Sequence, residues 1–138
     1  MKSYKSFMYQ AFNLSRVIKI KEAKVEKLEN LCSPKNSYKI GDGSNQSNLT
    51  ELKVARWSDE KVKLETLYKR YENLENSIVE FITEHLNGDE IEIMMLKYLS
   101  GKTTNEIAYE LNLSGGTVRN KICKCDKILE DKYRLVYQ

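Results

Sequence analysis

The chain has 138 residues, 23 Lys and Arg against 20 Asp and Glu, and a formal charge of +3. For that length one compact domain with an extended helical arm is about the limit. The single histidine, His85, lacks a partnering Asp, Ser or Cys pattern, so a hydrolytic active site is not expected and no enzyme is predicted.

No stretch approaches about 18 consecutive apolar residues, and no signal-peptide core follows the first residues. The expectation is a cytoplasmic protein without a membrane partner. Its three cysteines should then be free thiols. Cys123 and Cys125 are two apart and would point away from each other on a helix, and no His lies nearby, which argues against zinc. Carboxylates stand at salt-bridge spacing and suggest no metal cluster, so neither a cofactor nor a metal is expected.

Residues 4–32 contain neither Pro nor Gly. Phe7, Ala11, Leu14, Ile18, Lys21, Val25, Leu28 and Cys32 recur at alternating spacings of four and three. This is the heptad seam of a long helix, with Lys21 as a polar member able to set register or partner choice. The segment is also basic, with seven Lys and Arg against three Asp and Glu over residues 1–31, and its lysines are read as a solvated face, the alternative being a second hold on DNA. Residues 33–48 hold the only Pro, two Gly and many Ser and Asn, the composition of a flexible linker.

A second long helix is predicted over about 49–87, with Leu64, Leu67, Tyr71, Leu74, Ile78 and Phe81 as its seam. Glu60 with Lys63, and Glu65 with Lys69, stand at the spacing of ion pairs on exposed faces. The two seams need cover, either from each other in an antiparallel hairpin or from a second chain. A homo-oligomer through the long helices is therefore among the expected partners.

At Asn87-Gly88 the pattern breaks, and Asp89 and Glu90 suit a new helix N-terminus. Ile91, Met94, Met95, Tyr98 and Leu99 form its apolar face. The chain is thus divided into 1–87, two long helices and their linker, and 88–138, a small helical domain.

The most informative stretch is 103–129. Thr103 or Thr104 can cap a short helix, and Glu106 stands three residues after Thr103, the capping-box arrangement. Ile107, Ala108 and Leu111 make a small apolar face. Asn112 falls where a left-handed backbone is needed, a position that Gly and then Asn fill best. Leu113 plugs the gap between the two helices, and Ser114 caps the second one. On that helix Val118, Ile122, Cys125 and Leu129 form the buried stripe, with Cys123 half exposed. Gly116, Asn120, Lys124 and Lys127 lie opposite, with Thr117 beside them and Arg119 and Lys121 on the two flanks.

From residue 115 onward six Lys and Arg face three Asp and Glu, whereas 89–114 carry two against five. Basic charge therefore collects on the element that would meet phosphate. The pattern is that of a helix-turn-helix whose second helix enters the major groove of double-stranded DNA. Arg119 and Asn120 are candidates for base contact, because Arg can read guanine and Asn adenine. Lys121, Lys124 and Lys127 are candidates for phosphate. Thr103, Thr104, Ser114, Gly115, Gly116 and Thr117 complete the expected DNA-binding set. Gly115 and Gly116 could admit the DNA backbone closely or leave readout weak.

The run IEIMMLKYLSGKTTNEIAYELNLSGGTVRNKICKCDKIL resembles the fourth region of bacterial sigma factors, through Gly101, Lys102, Thr103, Glu106, Ile107, Ala108, Leu111, Leu113, Ser114, Thr117, Val118 and Arg119. The resemblance covers residues 89–131, about the last third of the chain. With its helical front, the whole is similar to phage and prophage late-gene transcription regulators of the ArpU/RinA type. It implies an all-α fold, a long helical hairpin or coiled-coil arm followed by a small sigma-region-four-like helix-turn-helix domain. It also implies a sequence-specific activator at a promoter, with or near RNA polymerase. Two other readings are a protein-interaction module that binds polymerase or another partner without reading DNA, and a packaging protein similar to small terminase subunits, which generally carry the DNA domain first.

Overall fold

The structure is a computed structural model that describes residues 3–31 and 44–137, with side chains for all of these except 44–50. Among the described residues there are five helices and no strand: α1 (Tyr4–Leu31), α2 (Ser44–His85), α3 (Asp89–Tyr98), α4 (Thr104–Leu111) and α5 (Gly115–Tyr137). The fold is all-α, and no described helix is long and apolar enough to cross a membrane.

α2 begins at Ser44, five residues before the expected start, so the end of the presumed linker is helical. Ser, Asn and Gln disfavour helix only by tenths of a kilocalorie per residue, and a helix held by downstream packing runs through them. The last seam position, Cys32, and residues 33–43 lie outside the described residues.

The chain forms two compact units, one of Met1–Asn13 with Glu72–Gln138 and the other of Leu14–Tyr71. This division differs from the one expected at residue 87, because the start of α1 and the end of α2 belong with the three short helices. There they bury more than a seam. Tyr4, Met8, Ile82 and Leu86 are buried beside the expected Phe7, Ala11, Ile78 and Phe81. α3, α4 and α5 pack on one another, and Ile93, Met94, Tyr98, Ile107, Val118, Cys125 and Leu129 are fully enclosed. Ile93 takes the central place in α3, with Ile91 and Met95 only half-buried at its sides. His85, expected at the surface, is half-buried with its ring 5.1 Å from that of Phe81.

Two glycines shape the connections. Gly88 has a positive φ of 57°, which ends one helix and admits the next. Gly101 has φ 67°, and a Cβ there would stand 2.3 Å from the Phe12 ring, so side chains are excluded twice over.

In the unit Leu14–Tyr71 the two helices run antiparallel, as the pairing of Glu22 with Tyr68 and of Lys24 with Glu60 shows. Ile18, Val25 and Leu64 form its core, flanked by Leu14, Trp57, Leu67 and Tyr71. Lys21, the polar seam residue, lies 3.9 Å from Glu60, which also meets Lys24 at 3.4 Å and Lys63 at 3.7 Å. Glu60 was expected on an exposed face and is instead buried. Its Lys63 pair forms, whereas Glu65 and Lys69, both exposed, make no ion pair with each other. Burial pushes the Glu60 carboxyl up. The Lys24 hydrogen bond and the charges of Lys24, Lys63 and Lys21 outweigh this and hold it below the ordinary carboxylate value.

Candidate nucleic-acid interface

The geometry starts at Thr103, which caps α4 with extended backbone. Its Oγ1 accepts from Glu106 N at 3.2 Å, and its own N–H donates to Glu106 Oε1 at 3.1 Å, closing the capping box. These bonds, with Lys102 nearby, hold the Glu106 carboxyl below its ordinary range. Thr104 is half-buried at the same helix start, beside a surface hollow of about 470 Å³ that Tyr9, Lys97 and Lys102 also line.

α4 ends at Asn112, whose φ of 57° and ψ of 43° are left-handed. Asn112 N donates to Tyr109 O at 3.4 Å and Leu113 N to Ala108 O at 2.9 Å, the paired bonds of a Schellman turn. Ser114 then caps α5. Its Oγ accepts from Thr117 N at 3.1 Å and donates to Thr117 Oγ1 at 2.7 Å. Two helices are thereby joined through the tight corner 112–114, every part of which is dictated locally.

α5 buries Val118, Ile122, Cys125, Leu129 and Tyr133. Burial, with the Glu90 carboxylate accepting from Sγ at 3.2 Å, pushes the Cys125 thiol up to about 12, so it is a core group without nucleophilic character. Cys123 is exposed, not half exposed as expected. Among the described residues no group of three His, Cys, Asp or Glu side chains is placed to hold a metal ion.

The expected contact residues separate into two sets. Gly116, Thr117, Arg119, Asn120 and Lys127 are exposed, and among the described residues Arg119, Asn120 and Lys127 make no hydrogen bond or ion pair. Lys121 and Lys124 are engaged. Lys121 Nζ is 3.4 Å from Asp89 Oδ2, and Lys124 Nζ is 4.0 Å from Glu90 Oε2. Thr103, Ser114 and Thr117 spend hydroxyl bonds on the caps. Neither glycine of the first turn is demanded by packing. A Cβ on Gly115 would meet only Asn105 Oδ1 at an ordinary 3.7 Å, and one on Gly116 would meet nothing within 4 Å.

A polar cluster beneath α5 escaped sequence reasoning. Asp126 Oδ1 accepts from Tyr4 OH at 2.8 Å and from Tyr98 OH at 2.7 Å. Its Oδ2 stands 3.3 Å from Lys5 and 3.6 Å from Lys97. Burial, reinforced by Asp126, raises both phenols far above their ordinary value. Burial lowers Lys97, against the pull of Asp126. The one sequence signal was that Asp126 sits four residues after the buried Ile122, at the edge of the apolar stripe. Tyr4 stands three residues before Phe7, in step with the seam, a signal of burial but not of its Asp126 partner.

No protein-family model matches the chain, and no curated protein or solved structure shows significant similarity to it.

Proposed function

We propose that this protein is a sequence-specific DNA-binding transcriptional regulator that lays α5 in the major groove. The observation that carries the reading is the unpaired set Arg119, Asn120 and Lys127, exposed on a helix that follows a Schellman turn. An Arg and an Asn free of internal partners can make the bidentate contacts that distinguish bases, and Lys127 can neutralise a phosphate. The resemblance of 89–131 to sigma region four supports action at a promoter, with or near RNA polymerase, in the manner of a phage or prophage late-gene activator. In this reading the protein is cytoplasmic and not an enzyme.

The test is duplex binding as a function of salt. Affinity should fall linearly in log–log form, by about 0.9 per phosphate contacted. Arg119→Ala with Asn120→Ala should flatten the preference among sequences selected from a random pool. Lys127→Ala should weaken all duplexes alike. No binding at low ionic strength, or a slope near zero, would overturn the proposal.

A further inference from the structure

We infer that Asp89 and Glu90 are specificity-determining residues, which decide which flank of α5 a duplex can use. The inference rests on the DNA-binding reading and deepens it. Successive residues of an α-helix are about 100° apart, which puts Arg119 on one side of the exposed face and Lys121 with Lys124 on the other. Without partners, the helix would offer cations on both flanks, and phosphate could dock through either. The first two residues of α3 remove that choice. Asp89 lies 3.4 Å from Lys121, and Glu90 lies 4.0 Å from Lys124.

Glu90 is also fixed in place, because it accepts the buried Cys125 thiol at 3.2 Å and its side chain is only 24% exposed. A phosphate recruiting either lysine must break an ion pair and approach a carboxylate of like charge. Arg119 on the other flank, and Asn120 and Lys127 along the middle of the exposed face, are paired to no carboxylate among the described residues. Non-specific binding is almost wholly electrostatic, so it is free to seek whichever flank is most cationic. Specific binding needs Arg119 and Asn120 at base edges and so uses one orientation. Neutralising the Lys121–Lys124 flank therefore weakens the first mode more than the second.

The experiment compares the full chain with Asp89→Asn, Glu90→Gln and their double variant on random-sequence and selected duplexes. Glu92→Gln is the control, since Glu92 lies in the same first turn, is exposed and has no partner among the described residues. Glutamine keeps an oxygen that accepts the Cys125 thiol. Affinity for random duplex should rise roughly two- to fivefold for each pair removed, the worth of an exposed ion pair. The salt slope should steepen by about 0.9 for each lysine that reaches phosphate. The ratio of selected to random binding should fall, and Glu92→Gln should show less than half of the Asp89→Asn gain. A gain of this kind cannot come from misfolding. Random-duplex affinity that is unchanged or lower in the double variant, or an equal gain in the control, would overturn the inference alone. A parent protein that binds no duplex would overturn the functional reading with it.

Discussion

The two units bury side chains in different ways, though both use the same two long helices. Among the described residues of Leu14–Tyr71, α1 and α2 have only each other, and burial is confined to a narrow seam. Val17, Ile20, Leu31, Leu52, Val54, Val62 and Tyr68 remain exposed there, and the seam closes on an ionised Glu60. Its Oε2 and the Trp57 Nε1 are buried without a hydrogen-bond partner among the described residues. In the other unit three further helices join the same two, and ten large side chains among the described residues are almost wholly enclosed, Tyr98 the largest. Two helices can hide one stripe each, while a third and fourth turn stripes into broad faces.

That contrast is broken or sharpened most strongly by truncating the enclosed core. Leu129→Ala should cost about 2–5 kcal/mol, because a fully buried leucine leaves a cavity its neighbours cannot fill. Leu64→Ala removes the same atoms from the narrow seam, where half-exposed Trp57 and Leu67 can close in, and should cost about 2 kcal/mol or less. Urea unfolding of the two variants measures the difference directly. Equal losses would mean that the seam is as rigid as the enclosed core.

Next in size is Asp126→Ala. It strands two phenols and Lys97 in a partly buried site, and about 2–3 kcal/mol should be lost. Tyr4→Phe deletes one donor and should cost about 1 kcal/mol in the same assay.

What could be read from residues alone follows the same division between local and distant causes. The capping box, the left-handed Asn112, the Ser114 cap and the α5 stripe all depend on neighbours within four residues, and each is present. Glu60 and Asp126 could not be read in this way, since their partners lie 36 and 122 residues away. Nor could the loss of Lys121 and Lys124 to ion pairs, because Asp89 is 32 residues from Lys121 and the pairing needs the packed α3–α5 interface. Heptad spacing marks the seam, and Tyr4 three residues before Phe7 continues it, but Met8, Ile82 and Leu86 fall off it. Periodicity reports one apolar face, and those side chains become core only where further helices cover a second one.

Acid should separate the seam from the enclosed core more gently. The folded Glu60 carboxyl titrates below its ordinary value of 4.5. Its contribution is therefore complete above that value and is lost as pH falls through the lower, folded one. Thermal unfolding followed by circular dichroism should show Glu60→Gln less stable than the parent at neutral pH. The gap should narrow toward acid. A gap that widens in acid would mean that burial, not the lysines, dominates at that carboxylate.

The smallest effect on stability carries the sharpest information about α5. Gly116 has helical backbone and open space where a Cβ would project, so Gly116→Ala introduces no clash. Alanine relieves up to about 1 kcal/mol in a helix interior and less in a first turn, so the melting temperature should rise slightly. Nothing among the described residues therefore accounts for glycine at this exposed position. If the bare turn exists to let a duplex approach its backbone, the added methyl group should weaken DNA binding while it stabilises the fold. Opposite signs in the two measurements on one variant would place the partner against residues 115–117. Affinity that rises or holds with stability would move the contact along the helix, toward Asn120 and Lys127.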